Sequence, residues 1–203
     1  MKTYSNRKLS KLVRILIDGT QIISGARQNS DNVGTVGATT VAATEYGDGM
    51  HHVTVLTLTD FVVGAPGAGA NKAFGAKVYS FPAGVHAHQI TRFNLGLTQG
   101  GVTTDTPDVG IGSVVGTGAV AVLGGTATFE DYVTGQTWGV ALDGTLQACA
   151  PLGATAGINT GISLNDTSDV KDVFLNVADG WNAGVTGNLT ANGTIVLIWD
   201  TVV

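Results

Sequence analysis

Residues 109–146, VGIGSVVGTGAVAVLGGTATFEDYVTGQTWGVALDGTL, decide the fold. Short apolar or β-branched runs at Val114–Val115, Ala119–Leu123, Thr126–Tyr132 and Thr137–Leu142 are separated by Gly116, Gly118, Gly124, Gly125, Gly135 and Gly144. Turn signals about every eight to twelve residues between such runs predict an antiparallel β-sandwich or barrel. Nothing in the stretch has the pattern of a site for chemistry.

The flanking sequence extends the same pattern. His51–Val63, HHVTVLTLTDFVV, reads as a long strand with Thr54, Leu56, Leu58 and Val62 on one face and Val53, Val55, Thr57 and Phe61 on the other. Apolar residues on both faces imply burial on both sides or a bulge that shifts the phase. Gly64–Ala70 is a loop by composition. Lys77–Phe81 and Val85–Leu97 form a pair joined by Pro82-Ala83-Gly84. In the second, Val85, Ala87, Phe93, Leu95 and Leu97 alternate with His86, His88, Arg92 and Asn94, and Gln89-Ile90 interrupts the pattern. Thr145–Ala150, Val170–Val177 and the apolar Thr194–Trp199 supply further strands. The last needs neighbours on both sides, because uncovered it would aggregate. Leu12–Ile17 is a candidate first strand ending at the turn pair Asp18-Gly19. Residues 24–48 read as a long, weakly structured connection. Two segments follow: a basic, extended arm and connection over residues 1–48, and a β-sandwich over 49–203.

Composition narrows the function classes. The 203 residues suffice for one large all-β domain with a real core. Only 12% are charged, about half the usual share, so Thr, Asn and Ser must supply much of the surface polarity. Charge is also segregated. Lys2, Arg7, Lys8, Lys11 and Arg14 precede the first acid, Asp18, whereas beyond Arg92 the only basic residue is Lys171 against ten acids. A cationic arm ahead of an anionic body points to an arm that docks on a negatively charged neighbour. Tyr4 is the only aromatic nearby for base stacking and the body repels phosphate, so a protein partner is favoured over direct nucleic-acid contact. The single Cys149 excludes an intrachain disulfide framework and suits a buried, inert thiol. LVRILI is too short and too broken by Arg14 for a signal peptide, and no apolar run approaches the roughly 18 residues of a membrane span.

Chemical motifs fare poorly against plainer accounts. His86 and His88 share a strand face, with His51 and His52 as further ligand candidates, but no carboxylate partner is evident and no metal is expected. Asp105-Thr-Pro-Asp108 is explained by turn chemistry. Glu130 and Asp131, adjacent on an expected strand, point to opposite faces and cannot serve one site. Gly64–Lys72 lacks the Gly-Lys-Ser/Thr ending of a phosphate loop, and Gly110-Ile-Gly112 misses the dinucleotide spacing. Asn165, Asn188 and Asn192 sit in glycosylation-type triplets that an Asn- and Thr-rich chain produces by chance. Trp199 belongs to the core by alternation, and Trp181 is the one aromatic suited to a sugar platform. No cofactor and no catalytic residue is expected.

"YSFPAGVHAHQITRFNLGL" from Tyr79, "DTPDVGIGSVVGTGAVAVLGGTATFEDYVTGQTW" from Asp105 and the ending "NGTIVLIWDTVV" resemble small virion structural proteins of tailed bacteriophages. Among these the chain is most similar to the β-sandwich or jelly-roll proteins that decorate or cement the head. The resemblance covers residues 77–203 and rests on general pattern. It implies a non-enzymatic capsid decoration protein, made in the host cytoplasm and located in the virion. Its partners would be the major capsid protein and itself, as a homodimer or homotrimer, with no membrane. On this basis Lys2, Arg7, Lys8, Lys11 and Arg14 become the partner-binding residues. Another virion component (head fibre, neck or tail) and a carbohydrate-binding module using Trp181 are the alternatives.

Overall fold

The computed structural model describes residues 34–47, 50–66, 73–82, 84–100, 104–117, 123, 128–149, 162–166, 171–178 and 187–201. They form eleven strands: β1 (Thr35–Val36), β2 (Val41–Gly47), β3 (His51–Gly64), β4 (Phe74–Ser80), β5 (Gly84–Gln99), β6 (Asp108–Gly112), β7 (Val133–Thr137), β8 (Asp143–Cys149), β9 (Ile162–Asp166), β10 (Asp172–Ala178) and β11 (Leu189–Thr201). One sheet has the order β1-β4-β10-β6-β7, the other β2-β3-β11-β5-β8, with β9 paired to the first part of β5. Every pairing is antiparallel. No helix occurs among the described residues, hence none long and apolar enough to cross a membrane.

The pairing is nested. β3 pairs with β11, β4 with β10, β5 with β8, and β6 with β7. This is one long hairpin of four strand pairs, wound so that successive pairs fall alternately in the two sheets. The result is a jelly roll, an all-β sandwich. β1 and β2 add an edge to each sheet, and β9 is an insertion between β8 and β10.

Strand length follows from alternation, and departures from alternation mark bulges. In β3, His52, Thr54, Leu56 and Leu58 face the core, and then Phe61 and Val63 take over. Leu58 pairs with Gly193 and Phe61 with Ala191, so Thr59 and Asp60 oppose Asn192 alone. Asp60 takes φ 50° there. Its N–H donates to Asn192 Oδ1 at 2.8 Å, and Asn192 Nδ2 donates to Asp60 Oδ1 at 3.1 Å. The extra residue turns Phe61 inward and leaves Val62 47% exposed, reversing the faces expected from uninterrupted alternation. Of the two alternatives the bulge holds, since on the outer face only Val55 is buried, Val53 is half-buried, and His51, Thr57 and Val62 are exposed. β5 repeats the device. Ile90 pairs with Ile198 and His88 with Trp199, which makes Gln89 the unpaired residue.

Two sequence expectations are corrected. Within 109–146 the strands are β6, β7 and the start of β8, whereas Val114–Val115, the described part of Thr126–Tyr132 and most of Thr137–Leu142 lie in connections. Of Ala119–Leu123 only Leu123 is described. Of the glycines read as separators, Gly135 and Gly144 lie in strands, Gly116 lies in a connection, and the other three lie outside the described residues; Gly112 and Gly135 stand where another chain segment passes close. A Cβ on Gly112 would collide with the Phe129 backbone, and one on Gly135 with Leu123. The connections are fixed by polar side chains instead. Buried Asn176 accepts from Gly116 N–H at 2.8 Å and donates to the carbonyls of Val114 and Phe129 at 2.9 and 2.7 Å. Asp131 accepts from Ser113 N–H and Oγ, both at 2.6 Å. The second correction concerns residues 34–47, which supply β1 and β2. These residues, read from sequence as a weakly structured connection, pair with β4 and β3, β1 starting at Thr35 and β2 at Val41.

β11 lies between β3 and β5, with Leu189, Ala191, Ile195, Leu197 and Trp199 fully buried. Facing them are Tyr79, Phe81, Val109, Ile111, Val173, Leu175 and Val177 of the other sheet and its margins. Phe81 meets Trp199 edge-on at 5.3 Å. The candidate strand Leu12–Ile17 lies outside the described residues.

Gly193 carries φ 132°, and a Cβ there would fall against the Asn94 carbonyl. Gly193→Ala is expected to cost about 1–3 kcal/mol of stability, read as a lower denaturation midpoint in urea at unchanged slope.

Candidate functional site

Titratable and polar side chains converge at one place, between the two sheets near the start of β3 and the ends of β2, β4 and β11. Glu45 lies on the edge strand β2 yet points inward and is 2% exposed. Its register explains its neighbours, because Glu45 pairs with Thr54, and Thr54 with Leu197. One carboxylate oxygen accepts from His52 Nδ1 at 2.9 Å and the other from Thr54 Oγ at 2.5 Å. Thr54 Oγ in turn accepts from Trp199 Nε1 at 2.9 Å. His52 stacks on the Trp199 indole, with centroids 3.9 Å apart and planes 9° from parallel. Its Nε2 meets Thr201 Oγ at 3.1 Å. With Nδ1–H donated to the carboxylate, Nε2 accepts the threonine proton. From the facing sheet the Tyr79 hydroxyl accepts from Gly34 N–H at 2.7 Å. On the outer face, His51 Nδ1 pairs with Asp200 at 2.5 Å.

Burial is the largest influence on Glu45 and pushes it above the usual carboxylate range, against the opposing pull of Thr54 and His52. Burial, and then the nearby Glu45 charge, push Tyr79 up to about 12. Thr201, His52 and Glu45 stand in the order hydroxyl, imidazole, carboxylate that hydrolases use for nucleophile, base and orienting acid. Here the surroundings make the series a latch. The second carboxylate oxygen is committed to Thr54, and the imidazole is fully buried against Trp199. Glu45 and His52 are buried, whereas Thr201 at the end of β11 is half-buried. The hydrogen bonds join β2, β3 and β11 of one sheet through this carboxylate and its partners, and Tyr79 of the facing sheet feels its charge.

The structure disperses the residues weighed as sites. Lys2, Arg7, Lys8, Lys11 and Arg14 lie outside the described residues, as does Trp181. His51 and His52 leave β3 on opposite faces, each with its own carboxylate, and the side chains of His86 and His88 lie outside what is described. Among the described residues no group of three or more His, Cys, Asp or Glu is placed to hold a metal. Glu130 and Asp131 occupy a connection, not the strand expected from sequence. Glu130 is fully buried and accepts from Gly135 N–H at 2.6 Å, so both acids serve the local backbone. Asp105 is 2% exposed, and Asp108 starts β6 and accepts from Thr137 Oγ at 2.8 Å. Trp138 and Trp199 are core residues. Asn192 is held by Asp60, whereas Asn188 is exposed. Sequence reasoning missed Glu45 and Asn176. The available signal was a lone acid or amide inside an apolar or Thr-rich run.

Comparisons with protein-family models, with curated proteins and with solved structures find no match to this chain.

Glu45→Ala leaves the buried His52 and Thr54 groups without their acceptor and is expected to cost about 2–4 kcal/mol. In hydrogen exchange the loss should appear first in β2. The sign of the tyrosine effect is fixed by its direction. Tyr79 ionises at 10.0 when unperturbed and near 12 in the fold, so the stability it lends is complete below pH 10 and is lost as pH rises toward 12. Denaturation midpoints measured from pH 8 upward should fall over that window. Tyr79→Phe should flatten the fall in part, because burial also raises Tyr132.

Proposed function

We propose that this chain is a non-enzymatic structural protein of a virus particle, a decoration protein that binds the outside of a tailed-phage head and ties capsomers of its major capsid protein together. One observation carries the proposal. A closed jelly roll commits its buried acids to holding its own strands and loops, while a run of five cations stands ahead of the body. Jelly rolls recur in viral capsid proteins, and a charge-poor body of this kind suits packing among other proteins. The resemblance of residues 77–203 to head-decorating proteins points the same way.

The mechanism is mechanical. Apolar contact contributes about 25 cal/mol per Å² removed from water. Repeated by symmetry around a shell, even small contacts sum to a large resistance to rupture. Lys2, Arg7, Lys8, Lys11 and Arg14 hold the arm to an anionic neighbour, and the sandwich acts as the rigid tile.

The test is attachment. The protein should copurify with particles in many copies, and particles lacking it should burst on milder heating. A variant lacking residues 1–30 should keep its β-type circular dichroism and fail to attach. Attachment at wild-type occupancy removes the arm from the mechanism, and absence from purified particles overturns the proposal.

A further inference from the structure

Asn192-Gly193 is the only Asn-Gly pair in the sequence, and each member answers a separate demand of the fold. Asn192 stands in β11 opposite the extra residue of the β3 bulge. Both polar atoms of its side chain engage Asp60: Oδ1 accepts from the Asp60 N–H at 2.8 Å, and Nδ2 donates to Asp60 Oδ1 at 3.1 Å. This clasp supports Asp60 at φ 50°, a conformation that costs energy in any residue with a side chain. Gly193 has φ 132° and no room for a Cβ, which would fall against the Asn94 carbonyl. The fold thus sets side by side the two residue types whose backbone and side chain react most readily with each other.

The reaction is intramolecular. The Gly193 nitrogen attacks the side-chain carbonyl carbon of Asn192, and no Cβ on the glycine obstructs it. A new N–C bond closes a five-membered succinimide, and the side-chain nitrogen leaves as ammonia with the glycine proton. Water then opens the ring. Opening at one carbonyl gives aspartate at position 192, and opening at the other gives isoaspartate, whose main chain is longer by one methylene.

We propose that Asn192-Gly193 is a deamidation site that the clasped β3–β11 bulge shields and the open chain exposes. Ring closure turns the planar amide carbon tetrahedral and draws the Gly193 nitrogen toward it. The two Asp60 bonds oppose the first movement, and the pairing of Gly193 with Leu58 on one side and Leu95 on the other opposes the second. Reaction therefore waits on local opening of the bulge. Its products do not fit the fold as the amide did. Aspartate sets a second carboxylate against Asp60 where an N–H donor stood. Isoaspartate shifts the register of β11 against both neighbours, ahead of the buried Ile195, Leu197 and Trp199. A chain held open is thus altered at the point on which the seating of its central strand depends.

The full chain, native or unfolded in guanidinium chloride, is incubated in mildly alkaline buffer, and the peptide carrying residue 192 is followed by mass spectrometry with isoaspartate detection. Conversion should be slower in the native chain by about a hundredfold or more, a comparison that needs no variant. Asp60→Gly suits the positive φ and removes the carboxylate, so native conversion should quicken by about tenfold at unchanged circular dichroism. Asp60→Asn keeps an acceptor oxygen and should restore the slow rate. Glu45→Ala weakens the sandwich elsewhere and should quicken conversion less than Asp60→Gly does, which separates the clasp from overall stability. Asn192→Asp should lower the denaturation midpoint. Equal rates in native and unfolded chains, a rate untouched by Asp60→Gly, equal quickening by Glu45→Ala, or an unchanged midpoint for Asn192→Asp overturns the proposal.

Discussion

A carboxylate sealed between two sheets has to be given partners, and Glu45 draws four strands into that task. Its oxygens engage His52 and Thr54, which in turn fix Trp199 and Thr201, while Tyr79 stands across the gap. An unpaired buried charge costs several kcal/mol, so each of these groups is held to one rotamer and one register. The apolar pairs around them leave more freedom. Val53 against Ile198 or Val55 against Val196 would tolerate a slide of two residues with little loss of burial. The carboxylate would not. It pins the edge strand β2 to β3, and through Trp199 it pins β3 to β11.

Polar anchoring governs the connections as well. Asn176 satisfies three backbone groups of the segments around 114–116 and 129, and Asp131 and Glu130 satisfy others. These segments contain few large apolar residues, and the amide and acids do the anchoring that a hydrophobic core would do elsewhere. Side chains committed in this way are removed from solvent chemistry.

How much of this could be read in advance depended on alternation. β5 was legible because a long apolar–polar alternation fits a strand and little else, β3 and β11 as runs rich in β-branched apolar residues, and the interruption at Gln89-Ile90 marked a real bulge. The direction of the phase change in β3 was not legible, since it turns on which residue takes φ 50° at Asp60. β6 and β7 were hidden because VGIG and VTGQT carry glycines that look like turns and are in fact close approaches. β2 was hidden because ATEYG has a polar edge-strand composition. At the candidate site the error had one source: Glu45 looks like an ordinary surface acid until the register places it opposite Thr54.

The place of β11 has a consequence for how the molecule comes into being. Among the described strands it is the last in chain order, and it sits in the middle of its sheet, between partners that begin about 140 residues earlier and about 100 residues earlier. While a ribosome is still translating, β3 and β5 exist with a gap between them and an apolar slot open to whatever is near. The sheet closes only when residues 189–201 have emerged. Maturation is therefore a late, single event, and the half-made chain is the stage at which a chaperone has something to hold.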